Sequence, residues 1–156
     1  MYRNKIKVLM PFLLLMISCQ ENKMYDSKSK EIIKTELSCK TKEFDNDVRM
    51  CVIIPGGGCP GCIASGLSYV VKHKSDFART QKRNVVVFTN ISSMKGLRRH
   101  LKDASIAELN CIVDTANSYL VDVSENIYPI ILKIDNKKIV EVAFQSPQEN
   151  GLYDME

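Results

Sequence analysis

The sequence predicts an α/β domain in which a mixed central sheet carries helices on both faces. Residues 48–54 and 85–88 are continuous apolar runs, which are typical of strands buried on both sides. Between them, from residue 63 to about residue 80, apolar side chains recur at helical spacing. A strand, a helix and a second strand in this order predict parallel pairing through a right-handed crossover. Residues 129–134 and 138–144 alternate in hydrophobicity and predict an antiparallel hairpin that extends the sheet.

The remaining segments supply smaller elements, in the predicted order β-β-α-β-α-β-(α)-β-β-(α). Residues 31–39 alternate weakly in hydrophobicity and predict a first strand. Ser92 or Ser93 is expected to cap a short helix after the second buried strand, and this helix runs to about residue 103. Residues 109–114 form a further short strand.

Turn signals mark the C-terminal part of the chain. Asp114 follows a predicted strand and is expected to cap one or two helical turns over residues 115–121. Asp135-Asn136-Lys137 is typical of a hairpin turn. Ser146-Pro147 predicts the start of a last, short helix.

The segment Pro55-Gly56-Gly57-Gly58-Cys59-Pro60-Gly61-Cys62 stands where the first buried strand passes into the helix. Two cysteines separated by two residues at such a turn predict a thiol-disulfide redox site. If Cys59 lies at the helix N-terminus, free backbone N–H groups and the helix dipole stabilise its thiolate. This thiolate attacks a partner disulfide, and Cys62, one helical turn later, resolves the mixed disulfide.

The residues around the two cysteines suit this role. Pro60 fits the first helical turn, where its missing N–H costs nothing. The glycines, Gly58 among them, keep bulk away from the sulfur and let a substrate backbone approach. Gly58, Pro60 and Gly61 are therefore candidate substrate-binding residues.

Other interpretations of the motif fit less well. Zinc requires four ligands, and no second C-x-x-C or H-x-x-x-H follows at a suitable spacing. Covalently attached haem requires a histidine directly after the second cysteine, where Ile63 stands. The glycines do not form a P-loop, because no Lys-Ser/Thr follows them. A purely structural disulfide remains open.

The N-terminus predicts export and a lipid anchor. Residues 1–7 are basic and residues 8–17 are apolar, which fits a signal peptide and is shorter than the about 20 residues that a membrane span needs. The segment Leu15-Met16-Ile17-Ser18-Cys19 resembles a bacterial lipobox, which implies that Cys19 is lipidated. Met16 and Ile17 depart from the usual pattern, so an ordinary signal peptide or a short membrane anchor is the alternative.

These features predict a signal peptide over residues 1–18, a lipidated tether over residues 19–30 and a folded domain over residues 31–156. We expect the protein in the bacterial cell envelope, anchored to a membrane and facing the periplasm or the cell exterior. Gln20, directly after the lipidated cysteine, favours the outer membrane. Disulfides are permitted in this compartment.

Composition argues against a nucleic-acid partner. Residues 1–18 carry three basic and no acidic residues, so the rest of the chain has 19 basic and 18 acidic residues. Such a balance gives no electrostatic support for binding nucleic acid. Tryptophan is absent, which leaves few aromatic side chains for base stacking. The local cluster Arg98-Arg99-His100 is either a solvated helix face or a contact with anionic lipid head groups.

Three further cysteines lie outside the motif and the lipobox. Cys39 and Cys51 flank a charged turn and are candidates for a disulfide across a hairpin. The better interpretation of Cys51 and Cys111 is that they are small buried apolar residues within strands.

The motif between a buried strand and a helix, followed by a strand, a helix and Tyr128-Pro129 before a hairpin, resembles the thioredoxin superfamily. The likeness covers about residues 48–144 and is greatest to the membrane-tethered, periplasmic TlpA-like thiol-disulfide oxidoreductases. It implies a thioredoxin-like fold, a protein thiol or disulfide substrate, a separate redox donor, and no cofactor beyond the Cys59–Cys62 disulfide. It also implies that Pro129 is a cis-proline facing the cysteine pair and that Tyr128 and Pro129 shape the substrate groove.

The chain departs from this family at the motif itself. Gly57-Gly58 replaces an aromatic-rich lead-in, and the order Pro60-Gly61 is closer to glutaredoxins than to thioredoxin. These residues help to set the redox potential, so the direction of electron flow is open, although TlpA-like relatives favour a reducing role. Ser65 stands where some relatives have a glutamate, which leaves no identifiable proton acceptor for the second thiol.

Two other functions fit the same residues. One is a binding or accessory lipoprotein that keeps the fold and holds an inert, structural disulfide. The other is a peroxiredoxin-like peroxidase, because Pro55-x-x-x-Cys59-x-x-Cys62 matches the frame P-x-x-x-T-x-x-C with Cys59 in the threonine position. The hydroxyl that would hold the peroxide is missing there. The sequence does not specify the substrate, the electron donor, the membrane or the oligomeric state.

Overall fold

The computed structural model describes residues 27–101 and 108–154, which form an α/β arrangement around a five-stranded sheet. The predicted signal peptide, Cys19 and the first part of the tether lie outside the described residues. In chain order the elements are α1 (27–41), β1 (Met50–Pro55), α2 (Pro60–Lys72), β2 (Asn84–Thr89), α3 (Met94–Leu101), β3 (Cys111–Asp114), a 3₁₀ turn (Ser124–Ile127), β4 (Ile130–Asp135), β5 (Lys138–Phe144) and α4 (Gly151–Asp154).

The sheet is mixed, as predicted, with the strand order β3-β2-β1-β4-β5. β1 pairs in parallel with β2, and β2 in parallel with β3. β4 runs antiparallel to both β1 and β5. The three parallel strands therefore end at one edge of the sheet, where Pro55, Thr89 and Asp114 are their last residues. The cysteine motif begins at this edge.

Successive residues of the central strands face opposite sides of the sheet and fill two cores. Cys51 and Ile53 pack on one side, beneath α1 and the loop after β3. Val52 and Ile54 pack on the other side, beneath α2, α3 and α4. The prediction of helices on both faces is thus confirmed.

The first element is a helix, so the predicted strand over residues 31–39 is wrong. Burial repeats every four residues, at Ser29, Ile33, Leu37 and Thr41, each at most 5% exposed. This spacing places all four on one face of a helix, whereas a strand would bury every second residue. The helix also contains residues 27–30, which the sequence predicts as part of the tether.

Three predicted helices also differ from those in the structure. α2 ends at Lys72, well before residue 80, and His73 caps it. Residues 115–121 form turns and no helix. The last helix begins at Gly151, because the Ser146 hydroxyl accepts hydrogen bonds from the backbone of residues 148 and 149 and holds a turn there.

Two local predictions are confirmed. Ser93 caps α3 by accepting a hydrogen bond from the Gly96 N–H at 3.2 Å. The hairpin turn places Asn136 at φ 48° and Lys137 at φ 63°, the left-handed pair that a tight two-residue turn requires.

Among helices of residues 27–101 and 108–154, none combines the length and the apolarity needed to cross a bilayer.

Candidate functional site

The two motif cysteines lie at the N-terminus of α2. β1 ends at Pro55, and the three glycines lead to Cys59, the N-cap residue, with Pro60 as the first helical residue. The Cys59 sulfur accepts a hydrogen bond from the Cys62 backbone N–H, with 3.4 Å between the two atoms. Cys59 thus takes the place that a serine or aspartate side chain holds at many helix starts. The predicted position of this sulfur is confirmed.

Cys59 and Cys62 are joined in a disulfide, with their Cα atoms 5.3 Å apart. Cys59 is half-buried, whereas Cys62 is buried at 9% exposure. Pro60 and Gly61, which connect them, are exposed. Cys59 is therefore the more accessible of the two cysteines, and access is what the reactivity of a cysteine sulfur requires.

Two of the three glycines are required by neighbouring backbone. A Cβ atom on Gly56 would collide with the Asn90 carbonyl oxygen. Gly58 has φ +130°, and its Cβ would collide with the Ile127 carbonyl oxygen. Gly57 has open space, with the nearest atom 3.9 Å away. Gly56 and Gly58 therefore let two other segments approach the motif, a role that the sequence did not indicate.

The segment before β4 contacts the cysteine pair through Ile127. The Cys59 backbone N–H donates a hydrogen bond to the Ile127 carbonyl oxygen at 3.0 Å, and the Ile127 side chain is 41% exposed. Tyr128 is extended, with φ −105° and ψ 153°. Ile127 thus lies beside Cys59 at the surface. Sequence reasoning overlooked it, because nothing in the local sequence marks its carbonyl as the partner of Cys59.

The prediction of a cis-proline is wrong, because the Tyr128–Pro129 bond is trans, like every other peptide bond of the described residues. Trans is the more stable form even before proline, by about 0.5–1 kcal/mol. The Pro129 side chain is buried and packs on α2, 3.2 Å from where a Cβ on Gly66 would lie. Pro129 therefore contacts α2, the helix that carries the motif, whereas Ile127 forms the contact with Cys59.

A cavity of about 310 Å³ opens on the other side of the motif. It lies between the glycine turn, α2 and the N-terminal part of α3, and its walls are mostly apolar: Ile54, Ile63, Leu67, Phe88, Ile91 and Leu97. Gly58 and Pro60, the neighbours of Cys59, also border it. The sequence could not reveal this cavity, because two separate stretches of the chain, residues 54–67 and 88–97, form its walls.

A buried carboxylate supports the loops around the motif. Asp114 is 5% exposed and accepts hydrogen bonds from the Thr89 hydroxyl and the Tyr119 N–H, both at 2.8 Å, and from the Ser118 N–H at 2.9 Å. Burial alone would raise the pKa of Asp114, but these hydrogen bonds outweigh it and the net pKa is lowered. Asp114 therefore stays ionised and holds a turn, not the helix that was predicted.

This turn reaches the motif through two asparagines. The Asn117 side-chain oxygen accepts a hydrogen bond from the Asn90 backbone N–H at 3.0 Å. The Asn90 carbonyl in turn occupies the space beside Gly56. The turn that Asp114 organises is thus connected to the glycine segment that positions Cys59.

The other described cysteines, Cys39, Cys51 and Cys111, form no disulfide. Cys51 is fully buried in β1, and burial strongly raises the pKa of its thiol. Cys111 is half-buried, and burial raises the pKa of its thiol more than Arg79 lowers it. Cys39 is exposed on α1, so the suggested Cys39–Cys51 disulfide is wrong. Across residues 27–101 and 108–154, no three histidine, cysteine or carboxylate side chains converge to hold a metal ion.

The predicted site residues are thus brought together at one edge of the sheet. Cys59, Cys62, Gly58, Pro60 and Gly61 form the motif, and the segment with Tyr128 and Pro129 packs beside it. Comparison of the chain with protein-family models, with curated proteins and with solved structures finds no match.

Proposed function

We propose that the protein is a thioredoxin-like thiol-disulfide oxidoreductase that uses Cys59 and Cys62 to reduce protein disulfides outside the cytoplasm. One observation carries this proposal. The disulfide lies at the N-terminus of α2, with its outer sulfur at the accessible N-cap and its inner sulfur buried. A disulfide that only staples the fold would not need one accessible sulfur at a helix N-terminus.

The architecture supports the family resemblance that the sequence suggested. The motif follows β1, the central strand, which has parallel β2 on one side and antiparallel β4 on the other. The segment before β4 packs beside the motif, as the resemblance implies for the segment that carries the proline. The residue that touches Cys59 differs, since it is Ile127.

In the reduced protein the exchange needs only the two thiols. The Cys59 thiolate, which the Cys62 N–H faces, attacks one sulfur of a substrate disulfide. A mixed disulfide forms, and one substrate sulfur leaves as a thiolate that takes a proton from water. The Cys62 thiolate then attacks the Cys59 sulfur, which releases the second substrate thiolate and restores the Cys59–Cys62 disulfide. Two electrons thus pass to the substrate, and a separate dithiol donor then reduces the Cys59–Cys62 disulfide and is itself oxidised to a disulfide.

The substrate contact uses the exposed rim around Cys59. Gly58, Pro60 and Gly61 are exposed on one side, and the Ile127 side chain projects on the other. Tyr128, extended and half-buried, continues this rim. The proposal includes the reducing direction and the anchor at Cys19, which places the domain at a membrane on the periplasmic or exterior side.

The experiment is to purify the full chain in detergent, measure the Cys59–Cys62 reduction potential, and assay the reduction of insulin. Cys59→Ser should abolish activity, and Cys62→Ser should accumulate a mixed disulfide with insulin. Cys39→Ser, which removes an exposed free thiol, is the matched control and should retain full activity.

The potential separates the alternatives. A value near about −270 mV, as in thioredoxin, supports a reductant, whereas a value near about −120 mV keeps the enzyme and reverses its direction. A potential below about −300 mV together with no activity in the wild type contradicts the proposal. The protein would then be a binding lipoprotein with a structural disulfide.

A further inference from the structure

We propose that the cavity beside Cys59 binds a large apolar side chain that neighbours the target cysteine of an acidic protein substrate. This inference rests on the proposed exchange reaction, since it names the kind of substrate that the same site takes. It assigns a role to the cavity and to the basic face of α3, which Lys95, Arg98 and Arg99 form. The exchange chemistry itself uses neither of them.

The cavity adjoins the accessible sulfur. Gly58 and Pro60, on either side of Cys59 in sequence, form part of its wall. Its volume of about 310 Å³ is at the lower end of the about 300–1,000 Å³ found for small-ligand sites, and its lining is mostly apolar. Such a space suits one or two apolar side chains better than a cofactor. A residue next to the target cysteine would enter it while the sulfurs react.

The cavity is separate from the surface that the Pro129 segment forms. Pro60, Ile63 and Leu67 line it and recur at three- and four-residue spacing, so they occupy one face of α2. Gly66, which packs against Pro129, lies about 90° around the helix from the middle of these three positions. The disulfide therefore has a contact surface on each side, and a bound substrate segment passes across both.

The α3 helix supplies the electrostatic part of the argument. Its sequence contains no acidic residue, and Lys95, Arg98 and Arg99 are exposed. Lys95 and Arg99 are four residues apart, where like charges destabilise a helix, and Lys95 also lies near its positive N-terminal end. Within the described ranges none of the three makes an ion pair with an acidic side chain. An acidic partner would relieve this repulsion beside Gly96, which lines the cavity.

The combination favours a protein segment over a membrane surface. Anionic lipid head groups would satisfy the cations but would leave the concave apolar cavity empty. A segment with an apolar residue beside its cysteine, followed by acidic residues, satisfies both features at once.

The test measures how fast the fully reduced full chain, in detergent, reduces disulfide-linked dimers of short fluorescent peptides. Each turnover oxidises one protein dithiol and releases two peptide thiols, so electrons balance. The reference peptide carries leucine next to cysteine and two glutamates after it. Replacing the leucine by serine should slow the reaction about tenfold, the effect of losing one buried apolar side chain. Replacing both glutamates by lysine should also slow it, and more so at low salt.

Two variants, each with a matched control, assign these effects to the cavity and to α3. In Gly96→Leu the new side chain fits, because a Cβ there has only ordinary contacts, the nearest 3.6 Å away, and the leucine fills the cavity. We expect this variant to reduce the leucine and serine peptides equally fast. Ser68→Leu, on the exposed side of α2, should keep the wild-type preference. Lys95→Glu/Arg99→Glu should invert the charge preference.

Lys72→Glu/Lys74→Glu is the control for that reversal, since it makes the same change in net charge on exposed residues at and just after the C-terminal end of α2. This control should retain the wild-type preference for acidic peptides. If both double variants alter the preference for acidic peptides equally, the net charge of the protein explains the effect and the inference is wrong.

Equal rates for all peptides, unchanged by Gly96→Leu, would overturn the inference while leaving the exchange reaction intact. Reduction of no peptide and no insulin would instead overturn the proposed function. If the charge reversal leaves peptide rates unchanged but weakens binding to phosphatidylserine vesicles relative to phosphatidylcholine vesicles, the basic face contacts a membrane and the inference is wrong.

Discussion

Replacing Gly58 by alanine should destabilise the protein and disturb Cys59, because this position requires glycine for two reasons. Its φ of +130° is one that L side chains rarely adopt, and such strain costs about 1–3 kcal/mol. The new Cβ would also lie 2.7 Å from the Ile127 Cα and would collide with the Ile127 carbonyl. To relieve the collision the segment must move, which breaks the hydrogen bond from the Cys59 N–H, worth about 1 kcal/mol. We expect a total loss of about 2–4 kcal/mol.

Gly57→Ala is the matched control, since its Cβ would have open space with the nearest atom 3.9 Å away. Urea denaturation of the oxidised proteins measures both free energies of unfolding, and insulin reduction reports the position of Cys59. Gly57→Ala should change the stability by less than about 0.5 kcal/mol. If Gly58→Ala is as stable and as active as Gly57→Ala, then the contact between Ile127 and the motif does not position Cys59 and the reasoning is refuted.

Three further predictions test the support of the site. Asp114→Asn should cost about 1–3 kcal/mol at neutral pH, because an amide cannot accept all the hydrogen bonds of the carboxylate. Since the pKa of Asp114 is lowered on folding, its ionised form stabilises the protein above pH about 4, and this stabilisation is lost as the pH falls towards the folded-state pKa. In Asp114→Asn the free energy of unfolding should therefore fall less steeply at acidic pH than in the wild type. An unchanged pH dependence would contradict this role of Asp114. Ile33→Ala should cost about 2–5 kcal/mol in urea denaturation if α1 belongs to the core, against little change for exposed Thr35→Ala, and equal stabilities would show that α1 does not pack. In the oxidised native protein iodoacetamide should alkylate Cys39 rapidly and Cys51 only after unfolding, as mass spectrometry of the peptides would show; early alkylation of Cys51 would contradict its burial.

The parts of the fold that the sequence predicted are those that local periodicity determines. β1 and β2 are buried on both faces, and a run of apolar residues with no alternation is sufficient to identify them. The hairpin followed from Asn136 and its neighbours, and the N-cap position of Cys59 followed from Pro60. These features depend on a few residues each, and distant segments do not alter them.

Local patterns are misleading where contacts between distant segments determine the structure. Ile33, Leu37 and Cys39 all stand at odd positions, so residues 31–39 fit a weak alternation, although the four-residue spacing of Ile33 and Leu37 also marks one face of a helix. Residues 115–121 have helical features in sequence, but the buried Asp114 carboxylate accepts backbone hydrogen bonds that hold a turn. The cavity and the role of Ile127 depend on contacts between distant segments, which a single sequence does not specify.

The most marked departure from the thioredoxin pattern has a structural explanation. The sequence carries Gly57-Gly58 where the family that it resembles has an aromatic-rich lead-in to the first cysteine. In this protein the Ile127 backbone occupies the space beside Gly58 and accepts the hydrogen bond from the Cys59 N–H. No side chain larger than hydrogen fits at Gly58 while Ile127 stays in place. The glycine at position 58 and the position of Ile127 therefore depend on each other, and a substitution at either residue should change the position of the Cys59 sulfur.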